Sequence, residues 1–161
     1  MSAAAGSGLA QVPLGCSGIM VSRIGFGSAP LGDFFDTLDE AVAIDTVKAA
    51  FAAGITLVDT APHYGNGLAE HRIGTALRTV PRGSVVVSTK IGRVMDPRAS
   101  RFDAPAPPPA RGFVGSLPHR PRFDYTYDGV MRSFEQSLLR LGTDRIDILL
   151  VHDVDPWSQG E

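Results

Sequence analysis

Hydrophobic residues recur along the chain with two periods, and the switching between them predicts the order of elements. Residues 12–24 alternate apolar with small polar residues around Cys16-Ser17-Gly18, which predicts a hairpin with Val12 to Gly15 pairing with Ile19 to Arg23. Ile24-Gly25-Phe26-Gly27 reads as a short strand whose glycines let another backbone, or a ligand, come close. Thr37-Leu38-Asp39-Glu40 has the capping-box pattern, and Ile44, Val47 and Phe51 then recur at helical spacing until Gly54 supplies a stop. Ile55-Thr56-Leu57-Val58 follows as a β-branched apolar run ended by Asp59. The unit then repeats. Ala69, Ile73, Ala76 and Leu77 mark a second helix face, and Ser84-Val85-Val86-Val87-Ser88 is the next buried strand, with Lys90 just past its end. Val130, Phe134, Leu138 and Leu141 form a third helical stripe closed by Gly142, and Ile146 to Val151 is a fourth strand, with His152 just past it.

Strands that alternate with helices imply right-handed crossovers and a parallel α/β sheet, with every strand C-terminus on one edge. Asp59, Lys90 and His152 follow three different strands, so segments far apart in sequence deliver polar groups to one rim. The stretch at about 91–125, with its run Ala104-Pro105-Ala106-Pro107-Pro108-Pro109, reads as irregular and is longer than a crossover needs. Because it begins beside Lys90, a substrate-covering loop is favoured over a passive insertion. Residues 1–11 read as a flexible tail.

Composition narrows the partners. A chain of 161 residues with 43% hydrophobic content is ample for one core. Its formal net charge of -2 offers no concentrated basic face for nucleic acid or an anionic membrane, so a small neutral partner fits better. No run reaches the ~18 apolar residues of a membrane span, and the N-terminus lacks the basic and apolar regions of a signal peptide. The single cysteine, Cys16, excludes an intrachain disulfide and suits a reducing compartment, with the cytoplasm as the default. With no basic neighbour arranged for thiolate formation, Cys16 reads as inert.

Candidate chemistry concentrates in a few segments. Gly25-Phe26-Gly27-Ser28-Ala29-Pro30 superficially suggests a dinucleotide turn, but proline replaces the last glycine and no helix opens behind it. In Val58-Asp59-Thr60-Ala61-Pro62-His63-Tyr64-Gly65-Asn66-Gly67, Pro62 and Gly65 stiffen a turn that holds Asp59 near Tyr64. Taken singly, Asp59 could be a strand-end cap, Tyr64 a half-buried aromatic, Lys90 a solvated lysine and His152 a core histidine. Taken together they make a proton-transfer set. An isolated tyrosine titrates near ~10 and is a poor proton donor or acceptor at neutral pH unless a cation stabilises its phenolate. Lys90 supplies such a cation, Asp59 its counter-ion, and His152 a group to orient a substrate oxygen. His63, His71 and His119 lie in a turn, on a helix and in the Pro-rich region, a spacing that points to no metal site.

Val21-Ser22-Arg23-Ile24-Gly25-Phe26-Gly27, Val58-Asp59-Thr60-Ala61 with Tyr64-Gly65, Ser88-Thr89-Lys90 and Asp147-Ile148-Leu149-Leu150-Val151-His152 together resemble the aldo-keto reductases. The likeness runs from about Leu14 to Pro156. It implies a (β/α)8 barrel of the TIM type whose bottom is capped by the hairpin at 12–24, here truncated to about the first four strands, with residues 12–161 as the N-terminal half. It also implies hydride transfer between NADP or NAD and a carbonyl or sugar substrate. On this resemblance Tyr64 is the general acid or base, Lys90 and Asp59 tune it, and His152 orients the substrate. Gly27 and Asp59 lie beside the cofactor, whose main site falls in later strands. Phe123-Asp124-Tyr125-Thr126-Tyr127-Asp128-Gly129-Val130-Met131-Arg132-Ser133 after a Pro-rich loop resembles the branch that oxidises aldoses at carbon 1 or pyridoxal at carbon 4.

The competing expectations are a non-catalytic relative that keeps the fold for binding and, behind it, a metal-dependent barrel hydrolase. A half barrel alone is expected to be an inactive fragment that self-associates through its exposed edges.

Overall fold

The computed structural model describes residues 9–97 and 112–155; residues 1–8 of the expected 1–11 tail, the proline run and the residues after 155 lie outside the described residues, while Gln11, expected in the tail, pairs with Ser22 in a strand. Gln11–Pro13 (β1) and Met20–Ser22 (β2) form the expected antiparallel hairpin, with Val12 opposite Val21. Phe26–Gly27 (β3) leads through a 3-10 turn at Ala29–Gly32 to a helix at Glu40–Ala52 (α1), then to Leu57–Asp59 (β4). A helix at Leu68–Leu77 (α2) returns the chain to Val86–Ile91 (β5). Arg93–Pro97 (β6) and His119–Phe123 (β7) precede a helix at Tyr127–Leu141 (α3) and the strand Ile148–Val151 (β8). The strands β3, β4, β5 and β8 lie side by side in that order, all parallel.

The three helices cover one face of this sheet. Val47 of α1, Val58 of β4, Ile73 and Ala76 of α2, Val87 of β5 and Leu141 of α3 are at most 1% exposed and form the core. Each of the valine, isoleucine and leucine side chains among them contributes about 1.5–3 kcal/mol relative to exposure. Because side chains alternate along a strand, sealing Val58 and Val87 under the helices turns Asp59, Ser88 and Lys90 to the opposite, uncovered face.

Three expectations are corrected. Asp39, not Thr37, caps α1: its carboxylate accepts the Val42 N–H at 3.1 Å, while Glu40 pairs with Arg72 at 2.7 Å instead of reaching back. β5 runs on to Ile91, so Lys90 lies within the strand; pairing of Ser88 to Ile91 with β8 extends the ladder. The stretch at 91–125 is not irregular throughout, since β6 and β7 pair antiparallel from Arg93↔Phe123 to Pro97↔His119. Val94 and Met95 bury that hairpin against α3, where the Gln136 amide accepts the Met95 N–H at 3.0 Å and donates to the Met95 C=O at 2.9 Å as a neighbouring strand would. No helix among the described residues is long and apolar enough to cross a membrane.

Candidate active site

Sheet register builds the site. Gly27, Asp59 and Ser88 are direct neighbours across β3, β4 and β5, and Lys90 is two residues further on the same face. The Tyr64 turn is bolted beside them by backbone contact: a Cβ on Gly65 would lie 2.6 Å from the Gly32 carbonyl oxygen, and one on Gly32 would lie 2.5 Å from Gly65 N. Only glycine at both positions permits that approach, and Gly65 also needs its φ of 65°.

Lys90 Nζ donates to Asp59 Oδ2 at 2.8 Å, to the Thr60 carbonyl at 2.8 Å and to Tyr64 Oη at 3.1 Å. The ammonium therefore has an acceptor for each of its hydrogens, and the phenol oxygen is held against a cation. Asp59 Oδ1 accepts from Ser88 Oγ at 2.9 Å, which fixes the carboxylate plane. Lys90 keeps 12% of its side chain exposed and Asp59 keeps 39%, so the pair sits at the edge of an open ledge.

His152 closes the set. Its backbone N–H continues the β5–β8 ladder to the Ile91 carbonyl at 3.1 Å, and its ring meets Tyr64 edge-on with centroids 6.0 Å apart. Burial, with help from Arg93 and Lys90 and against Asp153 and Asp59, lowers its pKa to about 4. His63 lies edge-on to His152 at 5.9 Å and is likewise lowered to about 4 by burial, Arg93 and His152. Both rings are neutral at pH 7. His71 and His119 lie on α2 and at the start of β7, away from this set, and burial lowers both.

The structure thus brings Asp59, Tyr64, Lys90 and His152 into one cluster with Gly27 on its row. Four neighbours escaped the sequence reading. Ser88 was detectable as the residue two before Lys90 on one strand face. Phe113 stacks on Tyr64 with centroids 6.1 Å apart and meets His63 edge-on at 5.4 Å, which places the segment after the proline run against the site. Arg93 and Asp153 pair beside His152, and no local pattern distinguishes them from surface charges.

The residues present fit a nicotinamide. A Cβ on Gly27 would meet nothing within 4 Å, which leaves open space on the Asp59 row. Ser28 Oγ, Thr60 Oγ1 and His152 Nδ1 are buried without a hydrogen-bond partner among the described residues, which leaves unpaired polar atoms in the segments that border the ledge.

Comparison with known proteins points the same way. The model of the aldo/keto reductase family matches residues 23–161. Pyridoxal 4-dehydrogenase of Microbacterium luteolum is 45% identical over 88% of this chain and 42% of its own length. D-threo-aldose 1-dehydrogenase of a Pseudomonas species is 40% identical over 85% of this chain and 41% of its own length. The holo form of an aldo-keto reductase from Bacillus halodurans superimposes with a TM-score of 0.67 at 27% identity, over 89% of this chain and 40% of that one. The chain therefore spans about two fifths of the length of the proteins it matches.

Proposed function

The chain belongs to the aldo/keto reductase family, its sheet of four parallel strands being part of that family's barrel, and from this premise we propose the reaction it serves. It carries the proton-transfer half of an NAD(P)-dependent oxidoreductase that interconverts an aldehyde, ketone or aldose with its alcohol or lactone. The reaction itself belongs to a form of the protein that also carries the remaining barrel strands, because the relatives are more than twice as long as the matched region.

One observation carries the reading: Lys90 Nζ bridges Asp59 at 2.8 Å and Tyr64 Oη at 3.1 Å on an accessible ledge. In carbonyl reduction Tyr64 gives its phenol proton to the developing alkoxide, and in alcohol oxidation the phenolate takes that proton back. Lys90 stabilises the phenolate electrostatically, and Asp59 holds the ammonium in place. Neutral His152 donates a ring N–H to the substrate oxygen and aligns it against the phenol. Gly27 and Asp59 line the space for the nicotinamide, which when bound supplies or accepts the hydride. Aldoses and pyridoxal are the favoured substrates, from the names of the two relatives.

A panel of aldoses, pyridoxal and simple aldehydes, followed by nicotinamide absorbance with NAD and with NADP, tests this in the form carrying all strands. Turnover of a member of the panel with either cofactor is expected; none with any of them contradicts the proposal.

A further inference from the structure

The backbone around His152 is gripped from two sides. Gly92 turns the chain out of β5 with a φ of 97°, and the Tyr125 ring occupies the place where a Cβ at 92 would sit. From there the Tyr125 hydroxyl donates to the carbonyls of His152 at 2.5 Å and Asp153 at 3.2 Å. Asp153 itself is left-handed, with a φ of 50°. Such a conformation is strained for a residue with a side chain and persists where surrounding contacts hold it. One of these contacts is Arg93, whose guanidinium donates to Asp153 Oδ2, lies over the Phe123 ring at 4.3 Å and faces His63 Nδ1 at 3.4 Å. Arg93 keeps 12% of its side chain exposed.

Resting on the catalytic reading of His152, we propose that Arg93 is a positioning residue for it: by engaging the Asp153 carboxylate, Arg93 offsets that charge beside the imidazole and leaves the ring neutral to serve the substrate oxygen. Asp153 Oδ2 lies 3.7 Å from His152 Nε2, just beyond hydrogen-bond reach. A side-chain rotation would close that gap and produce a charge-assisted bond that favours the imidazolium. Arg93 holds the carboxylate back. Among the described residues, the other titratable groups facing the ring are Asp59 from β4, His63 and Tyr64 from the following turn and Lys90 from β5. Of these, Asp59 already neutralises Lys90, so Asp153 is the carboxylate whose engagement decides the ring's charge. Burial is the main cause of the low titration of His152; Asp153 opposes it and Arg93 adds to it, in accord with that geometry.

Histidine-ring NMR of the 161-residue chain across pH gives the test. Arg93→Gln is expected to raise the His152 midpoint from about 4 by roughly one unit or more, a tenfold change in proton affinity. Arg93→Lys keeps the charge and is expected to hold the midpoint near 4, and Arg93→Gln with Asp153→Asn is expected to return it there. An unchanged midpoint in Arg93→Gln overturns the proposal. So does a double variant that rises along with the single one, because mere loosening of the fold moves both toward the ordinary value of ~6.5. Where Arg93→Gln does not fold, Asp153→Asn alone decides: a midpoint at or below 4 supports the proposal, and a rise toward the ordinary value overturns it. These midpoints do not depend on turnover, so their failure leaves the role of Tyr64 standing.

Discussion

Thr89 and Lys90 are neighbours on β5, yet each enters a different kind of charged cluster. Thr89 Oγ1 donates to Glu70 at 2.8 Å, and Glu70, fully buried, takes the Arg140 guanidinium at 2.6 Å, so that α2, β5 and α3 are tied beneath the sheet. Lys90 points to the other face and ties Asp59 to Tyr64 where the carboxylate keeps 39% of its surface. Both clusters pair opposite charges at hydrogen-bond distance. Only one can be reached by a ligand. Exposure, and the turn glycines that bring a phenol to a lysine, separate a site from a brace; charge pairing alone does not.

The sharpest way to break that contrast is to remove one member of each cluster. Glu70→Ala strands the Arg140 charge in the interior and is expected to cost about 3–5 kcal/mol, a large share of the ~5–15 kcal/mol that holds a typical domain. Urea unfolding of the chain measures it. Lys90→Met is expected to lower turnover by about 10²-fold or more in the form carrying all strands, while costing about 1–2 kcal/mol of stability, since Asp59 can recover water. Equal destabilisation by the two variants would make the Lys90 cluster a second brace.

Acid separates them further. His63 and His152 titrate near 4 in the folded chain, against ~6.5 when unfolded. Between those values the unfolded chain binds more protons, so stability rises with pH across the window and is lost as pH falls through it. The melting temperature is expected to be several degrees lower at pH 5 than at pH 7. A flat profile would show that these rings are not held neutral.

The smallest effect concerns the sheet edge. Leu149, Leu150 and Val151 on β8 are 45%, 45% and 53% exposed, on the outer strand of the sheet. We propose that the 161-residue chain self-associates there, and Leu150→Lys is expected to shift its sedimentation toward the monomer. Sedimentation as a monomer before the substitution would remove the proposal.

Much of this was legible in the pattern. Buried β-branched runs such as Val85-Val86-Val87 and helical stripes such as Val130, Phe134, Leu138 and Leu141 name their elements through periodicity alone. Asp59, Lys90 and His152 stood out because each follows an apolar run. The β6–β7 hairpin did not, because His119-Arg120-Pro121-Arg122-Phe123 carries a proline and a single strand-forming apolar residue and is held by pairing and by Gln136 instead. Nothing in the local sequence sets Glu70 and Arg72 apart from charges on an exposed helix face. Their burial depends on Arg140, Asp33 and Glu40, distant partners that no local window contains. Arg93 and Phe113 were hidden for the same reason.

Tyr64→Phe in the form of the protein carrying all barrel strands removes one oxygen and little else. Turnover is expected to fall by about 10²–10⁴-fold with the melting temperature nearly unchanged; turnover equal to that of the parent would contradict the assignment of Tyr64, held by Lys90 and Asp59, as the proton donor.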